Sequence, residues 1–379
     1  MHTKSYFIGG HQKGRVALIR KRYAVVSEIL RDTMDVTEVY VTVEGKKEKA
    51  VNYNTLTGPI AIGDRVYLNT NAVFLKLGTG GYHFVTHNAR HTTQEFMQEE
   101  GHILKLRYTP LQLKVMTVEE PDSPYHDVLK EACSINGMKV IIGSLHSMLY
   151  PLVYLLKAHI PAFKIVYIMT DSACLPISFS HTVDTLIYTK QLEATITCGQ
   201  AFGGQYETVN IYTALLTAKH ICNADIAIVI PGPGVVGTAT TFGFSNIEEG
   251  HIIDAVNTLH GVGINVARIS FADTRERHQG ISHHTLTILS KVANTSAYVA
   301  IPLLPPHKKY IIDNQLKTHA IYEKHHIQYV KENMVSILEK NRVEIKTMGR
   351  NLTQDVDFFR SIGAAASLCL DLLREIYPG

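Results

Sequence analysis

Residues 14 to 86 alternate short apolar runs with turn residues at close spacing. The runs are Arg15–Arg20, Ala24–Leu30, Val36–Val43, Lys49–Tyr53, Arg65–Phe74 and Tyr82–Val85. Glu44-Gly45, Gly58-Pro59, Gly63-Asp64 and Gly78-Thr79-Gly80-Gly81 separate them. Short strands between Gly/Pro turns predict a small all-β barrel or sandwich over residues 1–90. The polar stretch 87–101 is a composition shift and marks a boundary.

From 102 to 379 the period changes. Strand-length apolar runs alternate with segments whose apolar residues recur every three or four positions. The predicted strands are Leu113–Val118, Lys139–Ile142, Ile165–Met169, Thr195–Thr197, Ile226–Ile230, Ile264–Ile269, Ala297–Ile301 and Val343–Thr347. Ser245-Asn246-Ile247-Glu248 reads as a capping box, and Ser282 as the cap of a later helix. Such alternation predicts an α/β, Rossmann-like domain with a doubly wound, mostly parallel sheet.

Composition narrows the class. The chain has 379 residues, 45% hydrophobic and 19% charged, with a net charge of +3. Its densest basic cluster, Lys46-Lys47-Glu48-Lys49, is interrupted by Glu, so no nucleic-acid partner is expected. The greasiest region, Met138–Leu156, contains Lys139, Ser144, His146 and Pro151, so no membrane span is expected. Five scattered cysteines without a CxxC pair fit reduced thiols in the cytoplasm. No secretory signal is visible in the first residues. A homodimer is expected only on general grounds.

In open α/β sheets ligands bind outside the carboxyl ends of the strands. Each loop after a predicted strand is therefore a candidate. After Ile230 come Gly232, Gly234, Gly237, Thr238 and Thr240, a loop of small residues, backbone N–H groups and hydroxyls. Such a surface suits a phosphate or carboxylate. It lacks the GK[ST] of a Walker A loop and the GxGxxG of a dinucleotide site. The competing reading is a tight loop whose glycines allow close packing.

The segment Asp273–His284 is the densest in chemical groups. Arg275 and Arg277 could clamp an anion. Asp273, His278, His283 and His284 could move protons or ligate a metal. The spacing matches no zinc signature, and a solvated charged loop is the alternative. Adjacent His283 and His284 do not share a helix face, so one at most should act. Asp171 follows a buried strand, as a catalytic carboxylate or as a helix cap. Cys198 heads a Gly-rich loop, as a nucleophile or as a small buried residue. His146, in the loop after Ile142, is a further ligand candidate or a hydrogen-bonded structural residue. The run Leu77–Phe84 reads as a hairpin turn or a lid.

Long runs of this sequence resemble a known family. LTGPIAIGDRVYLNTNAVFLKLGTGGYHFV, GHILKLRYTPLQ, ATITCGQAFGG, PGPGVVGTATTFGFS, DTRERHQGISHHTL and TMGR, in that order, are similar to the bacterial domain of unknown function 3866 (DUF3866). The resemblance spans about residues 14 to 375. It implies a bacterial, cytoplasmic protein and no particular activity, substrate or cofactor.

Two functions are expected from the residues. One is an enzyme, a hydrolase or group transferase, acting on a small anionic or phosphorylated metabolite. Asp171 or Asp273 with His278 or His283 would then supply acid–base chemistry. The other is a non-catalytic binding or regulatory protein.

Overall fold

A computed structural model describes residues 18–78, 80–91 and 101–374. The chain divides into two compact units, Met1–Phe96 and Met97–Gly379.

The first unit is a closed five-stranded barrel. Its strands are β1 (Lys21–Asp32), β2 (Val36–Val43), β3 (Lys46–Tyr53), β4 (Arg65–Asn69) and β5 (Tyr82–Asn88), in the order β1-β2-β3-β5-β4. Neighbours pair antiparallel, except β3 with β5, which is parallel. Period-two alternation explains the closure: Ala24, Val26, Val39, Val41, Ala50, Val66, Leu68 and Val85 turn inward and fill one core. The predicted run Arg65–Phe74 is shorter as a strand, because Asn71–Phe74 forms a helical turn. Leu18–Arg20 is not strand, and residues 15–17 lie outside the described residues.

The second unit is α/β with an eight-stranded parallel sheet. Its strands are β6 (Lys139–Ile142), β7 (Ile165–Met169), β8 (Ala194–Cys198), β9 (Tyr206–Thr208), β10 (Ile226–Val229), β11 (Val262–Val266), β12 (Tyr298–Pro302) and β13 (His326–Val330). The order across the sheet is β9-β8-β7-β10-β6-β11-β12-β13. β6, β7 and β10 are buried at every position, because helices cover both faces. Helices α1 (Leu149–His159), α2 (His181–Tyr188) and the C-terminal Val356–Arg374 cover one face. Helices Ile211–His220, Glu248–Thr258 and Pro306–Thr318 cover the other. Each fully buried Ile or Leu of these layers contributes about 1.5–3 kcal/mol.

Several sequence expectations are corrected. Leu113–Val115 pairs with Ile103–Lys105 in a separate hairpin, not in the main sheet. Lys346–Thr347 likewise pairs only with Arg350–Asn351. The edge strands β9 and β13 were not expected: β9 has three residues, and β13 mixes His and Gln with its apolar positions. Ser245-Asn246-Ile247-Glu248 is not a capping box. Ser245–Ile247 forms a 3-10 turn, and the Ser245 hydroxyl accepts from the Val236 N–H at 3.2 Å. Ser282 does cap its helix, with its hydroxyl 3.4 Å from the His284 N–H.

Chain direction fixes where a ligand would sit. From β6 the chain winds to one side through β7, β8 and β9. It returns as β10 beside β6 and then crosses to the other side as β11. The carboxyl ends of β10, β6 and β11 therefore flank the reversal, where open α/β sheets have their crevice.

Candidate functional site

β11 delivers Arg268 and Ser270 to the carboxyl edge, two and four residues past its last residue. There a charged network forms around Asp273, a buried carboxylate. Arg275 grips it with Nε at 2.9 Å and Nη2 at 2.7 Å, and its backbone N–H donates to it at 3.0 Å. Arg268 and Arg350 stand behind, each with Nη2 3.7 Å from Asp273 Oδ2. Arg350 also donates to Asp355 at 2.8 Å, and Ser270 donates to the same carboxylate at 2.8 Å. The Arg275 guanidinium holds the Asp273 carboxyl well below the usual carboxylate range. Burial pulls Arg268 down to about 10. Asp273 is thus a fixed anion that arranges three arginines, and its low pKa works against acid–base chemistry at neutral pH.

Beside this network three imidazoles pack together. The His278 ring lies 5.0 Å from that of His283 and 5.3 Å from that of His284. His284 also stacks on Phe244, centroids 4.1 Å apart. Burial lowers His278 to about 3, helped by Arg268 and then Arg275. Burial also lowers His284 to about 3, helped by His283 and His278. His283 is lowered by burial and then by Arg277. All three rings are therefore neutral at pH 7. His278 Nδ1 lies 2.7 Å from the Ser282 hydroxyl. His283 Nε2 is shielded from solvent and has no hydrogen-bond partner among the described residues. Arg277 is exposed and in no ion pair among them. Among the described residues no group of three or more His, Cys, Asp or Glu side chains is arranged to hold a metal ion.

The glycine- and threonine-rich loop divides by role. Gly232 packs tightly: a Cβ there would lie 2.7 Å from the Cys174 carbonyl oxygen. Gly237 lies against the histidines, where a Cβ would meet the His284 ring at 3.2 Å. Gly234 faces open space. Thr238 and Thr240 are exposed, but their hydroxyls bond each other at 3.0 Å, and Thr238 also donates to the Gly243 carbonyl at 2.9 Å. Those hydroxyls close the loop on itself.

The remaining predicted residues are held in structural bonds. His146 lies between the Ser180 hydroxyl, 2.6 Å from Nε2, and the Pro231 carbonyl, 3.2 Å from Nδ1. Burial lowers its pKa to about 4. Asp171 accepts the Gln200 N–H at 2.8 Å and ties two post-strand loops together. Cys198 is buried, and burial followed by the Glu248 and Asp171 carboxylates pushes its thiol far up. A thiolate is disfavoured there.

The matching family is the one described as Protein of unknown function (DUF3866), over residues 49–366. The chain belongs to this family. No curated protein matches it. The Arg268–His284 segment and the loop at Gly237 both lie within the matched region.

Some residues of this edge escaped sequence reasoning. Glu248 accepts from Thr170 and from Ser172, the latter at 2.7 Å, so it links the helix Glu248–Thr258 to the loop after β7. Glu249 is buried, and burial raises its carboxyl to about 8. Asn265 donates to Glu249 at 3.1 Å, and Asn246 donates to the Ser144 carbonyl. Ser144 Oγ, Glu249 Oε1 and Asn265 Oδ1 are buried without partners among the described residues. Arg268 and Arg350 lay in short runs beside apolar or turn residues and gave no signal.

Proposed function

We propose that this protein is an enzyme, a hydrolase or group transferase, acting on a small anionic or phosphorylated metabolite at the carboxyl edge of its parallel sheet. One observation carries the reading: His283 has an unpartnered Nε2 and lies within electrostatic reach of Arg277, whose guanidinium is in no ion pair among the described residues. A neutral imidazole next to unpaired positive charge is poised to accept a proton once an anion arrives. Arg277 would hold the anion, with Arg275 at the rim. His283 would act as general base, with His278 and His284 packed against it. Asp273 serves as a positioning residue for Arg275 and Arg268. The reading takes the protein as cytoplasmic, in keeping with five free cysteines.

A second reading, a non-catalytic ligand-binding or regulatory protein, has its own support. The candidate nucleophile Cys198 is buried with a raised pKa, and Asp171 is committed to the Gln200 N–H. Assay of purified protein against phosphomonoesters and carboxylate esters separates the two. Turnover that falls at least about a hundredfold in His283→Ala supports the enzyme. An anion that binds and is recovered unchanged supports the binding protein.

A further inference from the structure

The barrel carries a second surface of a different kind. Tyr23 of β1 faces Tyr67 of β4 across the ladder, and Tyr67 faces His87 of β5. The tyrosine rings are 6.0 Å apart, and the Tyr67 and His87 rings 6.2 Å apart. Alternation puts this row outside, since Ala24, Val66, Leu68 and Val85 on the same strands are buried. Tyr23 is 48% exposed and Tyr67 44% exposed. Three outward aromatic rings on adjacent strands contribute nothing to the barrel core.

Two cations lie beside the row. Lys21 and Arg65 flank it and are exposed. Five other barrel cations have a carboxylate partner, while Lys46, Lys49 and Lys76 have none among the described residues. Arg20 and Arg22 bind Glu44, Arg31 binds Glu38, Lys47 binds Glu28, and Arg90 lies near Asp64. Lys21 and Arg65 are in no side-chain ion pair or hydrogen bond among the described residues. The segments Lys21–Val25, Arg65–Asn69 and Phe84–Asn88 contain no Asp or Glu. The near-balanced charge of the whole chain averages over this face.

We infer that the barrel binds single-stranded nucleic acid across Tyr23, Tyr67 and His87. Bases would stack on the rings, and Lys21 and Arg65 would meet the phosphates. Stacked aromatics beside a positive track bind single strands with little sequence preference, because every base has a π-face. Small five-stranded barrels of the OB type use their outer faces in this way, commonly over the second and third strands. Here that face is self-occupied: Lys47 lies over the Tyr40 ring at 4.3 Å, and Lys49 over Tyr82 at 5.5 Å. The rings of Tyr23, Tyr67 and His87 have no cation over them among the described residues, so this part of the outer surface is the open one. A duplex hides its base faces, so this surface should prefer single strands. An aromatic patch made for another copy of this chain would need no unpaired cations and no exclusion of acids.

The test is fluorescence anisotropy of the full chain with labelled oligo-dT and oligo-U, and with a duplex of equal length, at two salt concentrations. Single strands are expected to bind more tightly than duplex. Tyr67→Ala should weaken binding by about 5- to 150-fold, and Tyr67→Phe should keep it. Lys21→Gln with Arg65→Gln should reduce the slope of log affinity against log salt by about 1.4. These variants lie on the surface, and circular dichroism is the check that they fold. Equal binding of duplex, binding indifferent to Tyr67→Ala, or no binding at low salt would overturn the inference. So would a dimer in sedimentation that Tyr67→Ala dissolves, because the face would then belong to a second copy.

Discussion

Arg275 holds Asp273 through two parallel hydrogen bonds, at 2.9 and 2.7 Å, and the carboxylate so held lies within 3.7 Å of two further guanidinium groups. One buried anion thus gathers three cations at the end of a central strand. Removing it leaves Arg268 buried beside other positive charge. Asp273→Asn is expected to cost about 3 kcal/mol, as loss of one partner of a buried pair does. Urea denaturation measures it. A cost under about 0.5 kcal/mol would mean that the network is not a structural anchor.

The histidines set an acid-side limit on stability. His278 and His284 titrate near 3 when folded and near 6.5 when unfolded. Below about pH 6.5 the unfolded chain takes up protons that the folded one refuses, so stability falls as pH drops. Glu249 acts oppositely: its folded pKa of about 8 exceeds its ordinary value of 4.5, so stability is lost as pH rises between them. From these groups alone, stability should peak near pH 6.5, with slopes of about 1.4 kcal/mol per pH unit on either side of the peak, steepening to about 2.7 below about pH 4.5. His278→Gln should flatten the acid limb of the melting temperature–pH profile.

Glu249→Gln isolates the alkaline limb. A neutral amide cannot ionise, so the variant should gain about 3 kcal/mol at pH 7 and at most about 5 kcal/mol above pH 8, and gain nothing near pH 4.5. Equal stability of both proteins at pH 8 would show that the wild-type carboxyl ionises freely.

Thiol reactivity tests the environment of Cys198. Of the five free cysteines Cys133 is exposed, while Cys198, Cys222 and Cys369 are buried. Native protein should react rapidly with a disulfide reagent at Cys133, and at the three buried thiols only on unfolding. Fast modification of Cys198 in the native state would return it to the list of nucleophiles.

Gly237 sets the position of the His284 ring, which a Cβ there would approach to 3.2 Å. Gly237→Val should displace the ring from Phe244 and cost about 0.5–1.5 kcal/mol of stacking. Shifted His284 side-chain resonances would report the displacement.

The fold was legible where burial was two-sided. Val140–Ile142 and Ile165–Met169 are unbroken apolar runs, and the strands Lys139–Ile142 and Ile165–Met169 have the expected ends. His326–Val330 sits at an edge with its burial split between exposed and half-buried, so polar residues masked its period. The Asp273–His284 segment was visible as a density of ionisable groups. Its inner partners were not: Arg350 arrives from a hairpin 77 residues beyond Asp273, and no local pattern encodes such a contact. Sequence also could not separate Asp273, locked by Arg275, from His283, whose Nε2 has no partner among the described residues.

The most direct test of the proposed site follows the imidazole resonances of His283 by NMR while inorganic phosphate is added. Binding beside Arg277 should shift His283 Nε2, raise its pKa above that of the free protein, and weaken at least about tenfold in Arg277→Ala. No change at His283 with phosphate on the order of 10 mM, or a shift that Arg277→Ala leaves intact, would contradict an anion site at this edge of the sheet.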